Sequence, residues 1–305
     1  MPISQRDVRN RITSVKNIEK ITRAMEAVAA ARLRRAEQRI DALRPYAKAI
    51  RRMTRQAAEA AGPVPRLPIL SEHEQVNRVG LLLVAGDRGL AGGFNSNIVR
   101  AGVAAGREHE ADGRGAVYFA SGRRPASSLR FRGLDLVESF VGFTDRPAYA
   151  DARRIAERLV AAYLDDEVDQ VEVFYNGYVS PISQVVTHET LLPLQRATVL
   201  EDEESEDGSA GDSDGESKRR LPVDYEPDPV KILERLIPDY VEVSIYRALL
   251  ESTASEHGAR MTAMRNATDN AGELIDDLTL EMNRARQAEI TQEIMEVVAG
   301  AEGVG

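Results

Sequence analysis

The segment DRGLAGGFN, residues 87–95, has the residue types most suited to holding a bound group. It follows an apolar run that predicts a strand and precedes a predicted helix, a position where many proteins bind phosphate through backbone amides. Its glycines lack the spacing of a dinucleotide-binding loop, and no Lys-Ser/Thr pair follows them as in a P-loop. The segment therefore predicts a tight strand-to-helix turn, or a docking loop for a partner, in preference to a nucleotide site.

The other potentially reactive residues are not arranged for catalysis. The histidines are scattered along the chain: His73, His109, His188 and His257. None belongs to a His-Glu-x-x-His pattern, and Gly-x-Ser-x-Gly is absent. The sequence contains no Cys, which excludes disulfides, thiolate zinc sites and a cysteine nucleophile. Acidic pairs at 165–166 and 276–277 are typical of solvated helix faces. We therefore predict no catalytic residue, metal or cofactor in this chain.

The middle of the chain predicts a small α/β domain that would position the 87–95 loop. The short apolar runs RVGLLLVAGD (78–87), AVYFASG (116–122) and QVEVFYNGYV (170–179) predict buried strands. Residues 95–108 and 147–165 predict helices between them, and 183–194 predicts an added edge strand. This alternation is typical of a partly parallel sheet covered by helices.

Two long helices bracket this domain. From residue 4 to 60, apolar or small residues recur at alternating steps of three and four, close to a period of 3.5. That period predicts a left-handed coiled coil with a partner helix, with a distortion but no end at Pro45. A second such pattern runs from about residue 239 to 299, with Pro238 near its first turns. Gly258 and Gly272 each cost about 1 kcal/mol relative to Ala, so we expect close packing to explain both.

The two helices differ in length. If the α/β domain is inserted between antiparallel helices, Ser4 faces roughly residue 283 and Met25 roughly residue 262. Roughly 20 residues of the second helix, about 30 Å, then lack a partner within the chain. This overhang contains Ile290, Ile294 and Val297 at helical spacing, so we expect its apolar tip to insert into another protein.

The charge distribution separates the possible partners region by region. The net charge is −9, but residues 1–60 carry 15 Lys or Arg against 6 Asp or Glu. These bases are interleaved with the coiled-coil stripe and lack aromatic residues for stacking, so they favour an acidic protein surface and not a nucleic acid. Residues 201–216 contain nine Asp or Glu and no base, which predicts a disordered, solvated loop. No apolar run predicts a signal peptide or a membrane span, which favours a soluble, cytoplasmic protein.

Several long motifs, in order along the chain, resemble the gamma subunits of F-type ATP synthases. They are KITRAMEAVAAARLRRA (20–36), RPYA (44–47), DRGLAGGFN (87–95), YEPDP (225–229), ARMTAMRNATDNA (259–271) and ARQAEITQEIMEVVAGA (285–301). The resemblance covers both long helices almost completely and the middle domain more loosely.

The resemblance implies a non-catalytic rotor shaft that couples proton translocation to ATP synthesis. Antiparallel helices would rise into the hexamer of alpha and beta subunits, while the α/β domain would form a foot on the c-ring beside the epsilon subunit. Membrane association would occur through the c-ring only, as a peripheral part of the complex on the cytoplasmic face of the cell membrane. The implied organisation is an N-terminal helix (1–61), a Rossmann-like foot (62–200), an acidic loop (201–220) and the YEPDP connection with the C-terminal helix (221–305).

The resemblance also implies roles for residues within the matched motifs. The positions that catch a loop of a beta subunit would be Arg286, Gln287, Thr291 and Glu293. Met25 and Arg260 would face the lever region of beta, and the hairpin pairing independently places their motifs at one level. Asp87, Arg88 and Gly89 would belong to a docking loop near the same levers.

Tyr225 and Glu226 of YEPDP would face the c-ring and the epsilon subunit. The sequence departs from the family at Ala91, where many relatives have Cys, and in the length of the acidic stretch before YEPDP. That stretch is interpreted as a solvated loop, with a brake or docking element near the foot as the alternative. Two other functions stay open: a freestanding coiled-coil adaptor with a ligand-binding α/β domain, and a nucleotide-dependent enzyme using the 87–95 loop.

Overall fold

The computed structural model describes residues 5–60, 69, 73, 75–181, 183–194 and 228–302. The helices are α1 (Gln5–Ala60), α2 (Phe94–Ala111), α3 (Arg123–Phe131), α4 (Tyr149–Leu164) and α5 (Pro229–Glu302). The strands are β1 (Arg78–Val84), β2 (Gly115–Ser121), β3 (Leu136–Phe140), β4 (Gln170–Tyr178) and β5 (Gln184–Leu192). The predicted acidic loop lies outside the described residues, as do Tyr225 and Glu226 of the YEPDP motif.

Helices α1 and α5 form the predicted antiparallel pair. Val8 and Ile12 pack with Leu278 near one end, and Leu33 and Ala36 pack with Ala254 further along. The 3.5-residue stripe is buried along most of α1, as predicted, with Ile18 left 53% exposed. The long helix pair with an inserted α/β domain is confirmed.

Helix α5 begins ten residues earlier than predicted, because Pro238 lies inside it and not near its start. The proline lacks an amide hydrogen and normally destabilises a helix interior. Here Leu233, Ile237 and Val241 from this part of α5 are buried in the core, and their burial offsets that loss. Helix α1 also continues through Pro45.

One of the two glycine expectations is wrong. A Cβ at Gly258 would lie 2.9 Å from the carbonyl oxygen of Pro181, so close approach of the backbone explains that glycine. A Cβ at Gly272 would meet no atom within 4 Å among the described residues, so packing does not explain it.

The five strands form one sheet in the order β3-β2-β1-β4-β5, with β5 antiparallel and the other neighbours parallel. Alternate residues of β1 face opposite sides. Leu81 and Leu83 pack in a core with α2 and α3, whereas Leu82 and Val84 pack in a larger core with α1, α4 and α5. Helices α1 and α5, with α4, therefore cover one face of the sheet, which fixes the α/β domain against the helix pair.

The sequence patterns missed α3 and β3. Helix α3 is short and begins with Arg-Arg-Pro, and it buries only Pro125, Ala126 and Leu129. Strand β3 is an edge strand of five residues, mostly only half-buried, so its apolar signal is weak. Within the described ranges, no helix is both long and apolar enough to cross a membrane.

Candidate functional site

The loop after β1 is organised by the carboxylate of Asp87. Its Oδ1 accepts a hydrogen bond from the backbone amide of Arg123 (3.0 Å), the first residue of α3. Its Oδ2 accepts from the amide of Gly142 (2.9 Å) and from the hydroxyl of Thr144 (3.1 Å). Asp87 thus joins the carboxyl ends of β1, β2 and β3 and takes the amide at the start of α3 that an anionic ligand would need.

Asn95 holds the other side of the docking loop. Its Oδ1 accepts from the amide of Gly86 (2.8 Å), and its Nδ2 donates to the carbonyl of Arg88 (3.0 Å). The intervening Leu90 has φ +62°, which non-glycine residues rarely adopt, and its side chain is 67% exposed. The loop therefore presents an apolar side chain outward from a fixed backbone.

The docking loop is fastened to α5 by a buried ion pair. Arg260 donates to Oε1 of Glu256 (2.5 Å) and to the carbonyl of Gly89 (3.3 Å). Glu256 is 1% exposed and Arg260 is 8% exposed. Burial raises the pKa of the Glu256 carboxyl above its ordinary value, and the charge of Arg260 opposes that rise. A Cβ at Gly86 would lie 2.9 Å from the same carboxylate, so only glycine lets the loop approach so closely.

His257, next to this pair, is buried and neutral. Burial, reinforced by the positive charge of Arg260, lowers the pKa of its imidazole to about 4. Its Nδ1 lies 3.4 Å from Nη1 of Arg260, where the guanidinium donates. The histidine thus completes the polar contacts of Arg260 without adding a charge.

Further polar contacts connect the loop before α4 to both shaft helices. Asp145 pairs with Arg32 of α1 (2.7 Å) and with Arg88 of the docking loop (3.5 Å). The hydroxyl of Thr253 on α5 donates to the carbonyl of Thr144 (2.9 Å). Directional bonds therefore link the docking loop, the foot and the two helices at one level of the shaft.

The motifs that contain Met25 and Arg260 lie at one level, but the register between the two helices differs from the expected one. Thr22 and Thr268 share a 2.7 Å hydroxyl hydrogen bond, and Glu26 pairs with Arg265 at 2.9 Å. Met25 is therefore nearer residue 265 than the expected 262. Met25 is half-buried, whereas Arg260 faces inward to the docking loop.

The overhang of α5 extends past the first described turn of α1 and is exposed. Every described side chain from 286 to 298 is exposed, which includes Arg286, Gln287, Thr291 and Glu293. The hydroxyl of Thr291 donates to the carbonyl of Gln287 (2.8 Å). The exposed apolar residues are Ile290, Ile294, Met295, Val297 and Val298. This end therefore combines an apolar tip with a polar base.

One polar cluster was not foreseen from the sequence. Glu172 on β4 is 3% exposed and lies 3.2 Å from Nε2 of His109 and 2.9 Å from Nε2 of His188. Both histidines lower the pKa of Glu172 against the effect of burial, and the hydrogen bond to Glu172 raises the pKa of His188. The cluster joins α2, β4 and β5. Among the described residues, no group of histidine and acidic side chains is arranged to hold a metal ion.

The sequence contained a signal for one of the other contacts that were not predicted. Glu256 stands four residues before Arg260, the spacing of an ion pair on one helix face. The contacts of Asp145 and Asp87 join residues far apart in sequence, and no local pattern indicates them.

The family described as ATP synthase matches residues 4–304. The ATP synthase gamma chain of Rubrobacter xylanophilus is 46% identical over 301 residues, covering 99% of this chain and 98% of that protein. The gamma chain of Moorella thermoacetica is 43% identical over 299 residues, covering 98% of each.

Solved structures show the same fold. A central stalk/c-ring structure of the Tetrahymena thermophila mitochondrial ATP synthase matches at 25% identity and a TM-score of 0.58, covering 81% of this chain and 99% of that chain. A chain of the Euglena gracilis mitochondrial enzyme in rotational state 3 matches at 16% identity and a TM-score of 0.67, covering 98% of this chain and 94% of that chain. From these matches along almost its whole length, the chain belongs to the ATP synthase gamma chain family.

Proposed function

We propose that this chain is the central rotor shaft of an F-type ATP synthase and has no catalytic residues of its own. In this role it transmits torque from the proton-driven c-ring to the catalytic beta subunits of the alpha–beta hexamer. The observation that carries the proposal is the exposed overhang of α5, an apolar helix end whose only suitable environment is another protein. The foot and the overhang lie at opposite ends of the helix pair, as a shaft requires.

The overhang suits a bearing combined with a catch. Apolar contacts are non-directional, so a tip rich in Ile, Val and Met can turn within an apolar sleeve without a preferred angle. Charged hydrogen bonds are directional, so Arg286, Gln287, Thr291 and Glu293 can favour particular rotor angles by binding a beta-subunit loop. Coupling then follows from unequal binding to the beta conformations, because equal binding would shift no equilibrium.

The docking loop supports a mechanical role in preference to a catalytic one. Asp87 directs negative charge toward the amides that would otherwise receive a phosphate. In the proposed complex, Arg88 and Gly89 face the lever region of beta together with Met25. Arg260 acts there through the loop it holds, because its own guanidinium is buried.

The remaining contacts follow the implied domain organisation. Residues 62–200 form the foot on the c-ring, and Tyr225 and Glu226 contact the c-ring and the epsilon subunit. The complex places this chain at the cytoplasmic face of the membrane, attached through the c-ring only.

Reconstitution tests the proposal. The chain is expressed with the alpha, beta and epsilon subunits and the membrane sector, and proton-driven ATP synthesis is measured in vesicles. We expect the full chain to co-purify with these subunits and to support synthesis. Truncation after Ala285 removes the overhang and should abolish coupled synthesis, whereas truncation after Val298 should have a small effect. A full chain that does not co-purify with alpha and beta would contradict the shaft role and favour an adaptor.

A further inference from the structure

A basic groove runs between α2 and α3, on the sheet face opposite the shaft. Its volume is about 550 Å³, and none of its lining residues is acidic. The apolar part is formed by Val99, Val103 and Phe131, and Phe131 is 93% exposed. Four arginines line its walls: Arg100, Arg107, Arg124 and Arg132.

These arginines differ from the paired arginines of the same chain. Arg32, Arg158 and Arg260, for example, each lie within 4.0 Å of a carboxylate. In the part of the chain that the structure describes, the four groove arginines are exposed and have no carboxylate within that distance. Four like charges around one groove repel one another, so an anionic occupant is favoured.

We propose that the chain's own acidic segment, residues 201–216, binds this groove. The segment contains nine Asp or Glu and no base, so its charge complements the four arginines. In the sequence it directly follows two apolar residues, Val199 and Leu200, and the groove has an apolar part at Phe131. The proposal goes beyond the shaft role, because it concerns a contact within the foot domain.

The segment can reach the groove from the edge of the sheet where β5 ends. Leu192 pairs with Val171 at the start of β4, and Val171 pairs with Gly80, so the segment leaves β5 at the amino ends of the parallel strands. Phe131 ends α3 on its return toward that same edge. From β5 to β2, beneath the groove, is three strand spacings, or about 15 Å. Leu194, the last described residue before the segment, packs in the core on the shaft side, so the path also has to pass the edge of the sheet, about another 10 Å. Residues 195–200 can span roughly 20 Å, and the first residues of the acidic segment can cover the rest.

Tethering also favours the segment over a free anion. A short flexible link gives a tethered ligand an effective concentration on the order of millimolar, so weak ion pairs suffice for occupancy. Exposed pairs of this kind are screened by salt, and added salt should therefore release the segment.

Cross-linking in the full chain tests the contact, because the natural sequence has no Cys. One variant carries Ser127→Cys in the groove and Ser209→Cys in the acidic segment. The matched control carries Asp165→Cys with Ser209→Cys, since Asp165 is exposed beyond α4 on the opposite face. Under mild oxidation, we expect the groove pair to form a disulfide at least about fivefold faster, with 0.5 M salt removing most of the difference. Equal rates for the two pairs would overturn the proposal.

Charge reversal separates binding from simple proximity. Arg100→Glu with Arg107→Glu should reduce the cross-linking rate about fivefold or more, whereas Arg9→Glu with Arg11→Glu on α1, the same charge change, should leave it unaltered. Circular dichroism checks that all variants are folded. A polyglutamate peptide should bind more tightly once 201–216 is deleted. If polyglutamate binds the intact and shortened chains equally, the groove serves an external acidic partner and the proposal is wrong.

Discussion

Replacing Arg260 by Met should destabilise the joint between foot and shaft in a pH-dependent manner. The substitution keeps most of the aliphatic volume but leaves Glu256 without its cation at 1% exposure. Breaking a buried pair from one side costs about 3–5 kcal/mol. The lost hydrogen bond to the Gly89 carbonyl costs about 1 kcal/mol more. Uptake of a proton by Glu256 limits the total, so we expect a loss of about 3 kcal/mol at pH 8.

The sign of the pH dependence follows from the raised pKa of Glu256. A carboxyl whose pKa is higher in the folded state binds more protons there, so stability falls as pH rises from about 4.5 through the folded pKa. Without Arg260 this pKa rises further, so the variant should lose more stability between pH 5 and 8 than the natural chain does. Adding Glu256→Gln should recover part of the loss.

Urea unfolding of the full chain at pH 5 and pH 8 measures these differences. Arg265→Met is the matched control, because Arg265 pairs with Glu26 at the surface, where such pairs contribute about 0–1 kcal/mol. The reasoning is refuted if Arg260→Met costs no more than Arg265→Met at pH 8, or if its cost is the same at both pH values.

Three further outcomes are expected. In reconstituted complexes, Arg286→Leu with Gln287→Leu should preserve assembly but weaken coupled synthesis, since each lost polar contact costs about 1–3 kcal/mol; unchanged synthesis would exclude the catch. His188→Gln should lower the urea midpoint more at pH 6 than at pH 9, because the raised histidine pKa stabilises the fold below about pH 6.5 and that contribution disappears as pH rises; equal losses would contradict this. Gly106→Ala should destabilise the fold by about 1–3 kcal/mol, since its Cβ would lie far inside van der Waals contact with the hydroxyl of buried Tyr118, whereas Gly272→Ala, in open space among the described residues, should stabilise it by about 0.5–1 kcal/mol; thermal unfolding of both variants measures the two opposite shifts.

The helices and strands that could be predicted from the sequence are those whose burial leaves a regular pattern of apolar residues. The stripe of α1 was readable because a helix buried along one side repeats its apolar residues at 3.5. The central strands were readable because continuous apolar runs such as 78–84 are buried on both faces. Strand β3 and helix α3 were not predicted, because an edge strand and a short surface helix bury few side chains and so show a weak apolar pattern.

The sequence could not place residues whose partners are distant along the chain. Arg260 was expected to face outward, and its inward direction depends on Gly89, 171 positions away. The pairing of α1 with α5 shifted by about three residues from the expectation, because an inserted domain does not fix the register as a tight turn does. The hydrogen bonds of Asp87 could not be predicted either, because their donors are distant in the sequence and meet only in the folded sheet.

Helix α5 changes character along its length in the way that a torque shaft requires. Near residue 256, buried charges and hydroxyls supply directional bonds, and these resist slipping of the foot around the helix better than apolar contact alone. Thirty residues further on, or about 45 Å, the helix leaves α1 and exposes the apolar side chains of Ile290, Ile294, Met295, Val297 and Val298. Directional polar contacts around the tip would hold the rotor at one angle. Purely apolar contacts between α5 and the foot would let the foot turn around the helix without transmitting torque. Exchanging the two kinds of contact would therefore abolish coupling, so the order of residue types along α5 is itself a functional property.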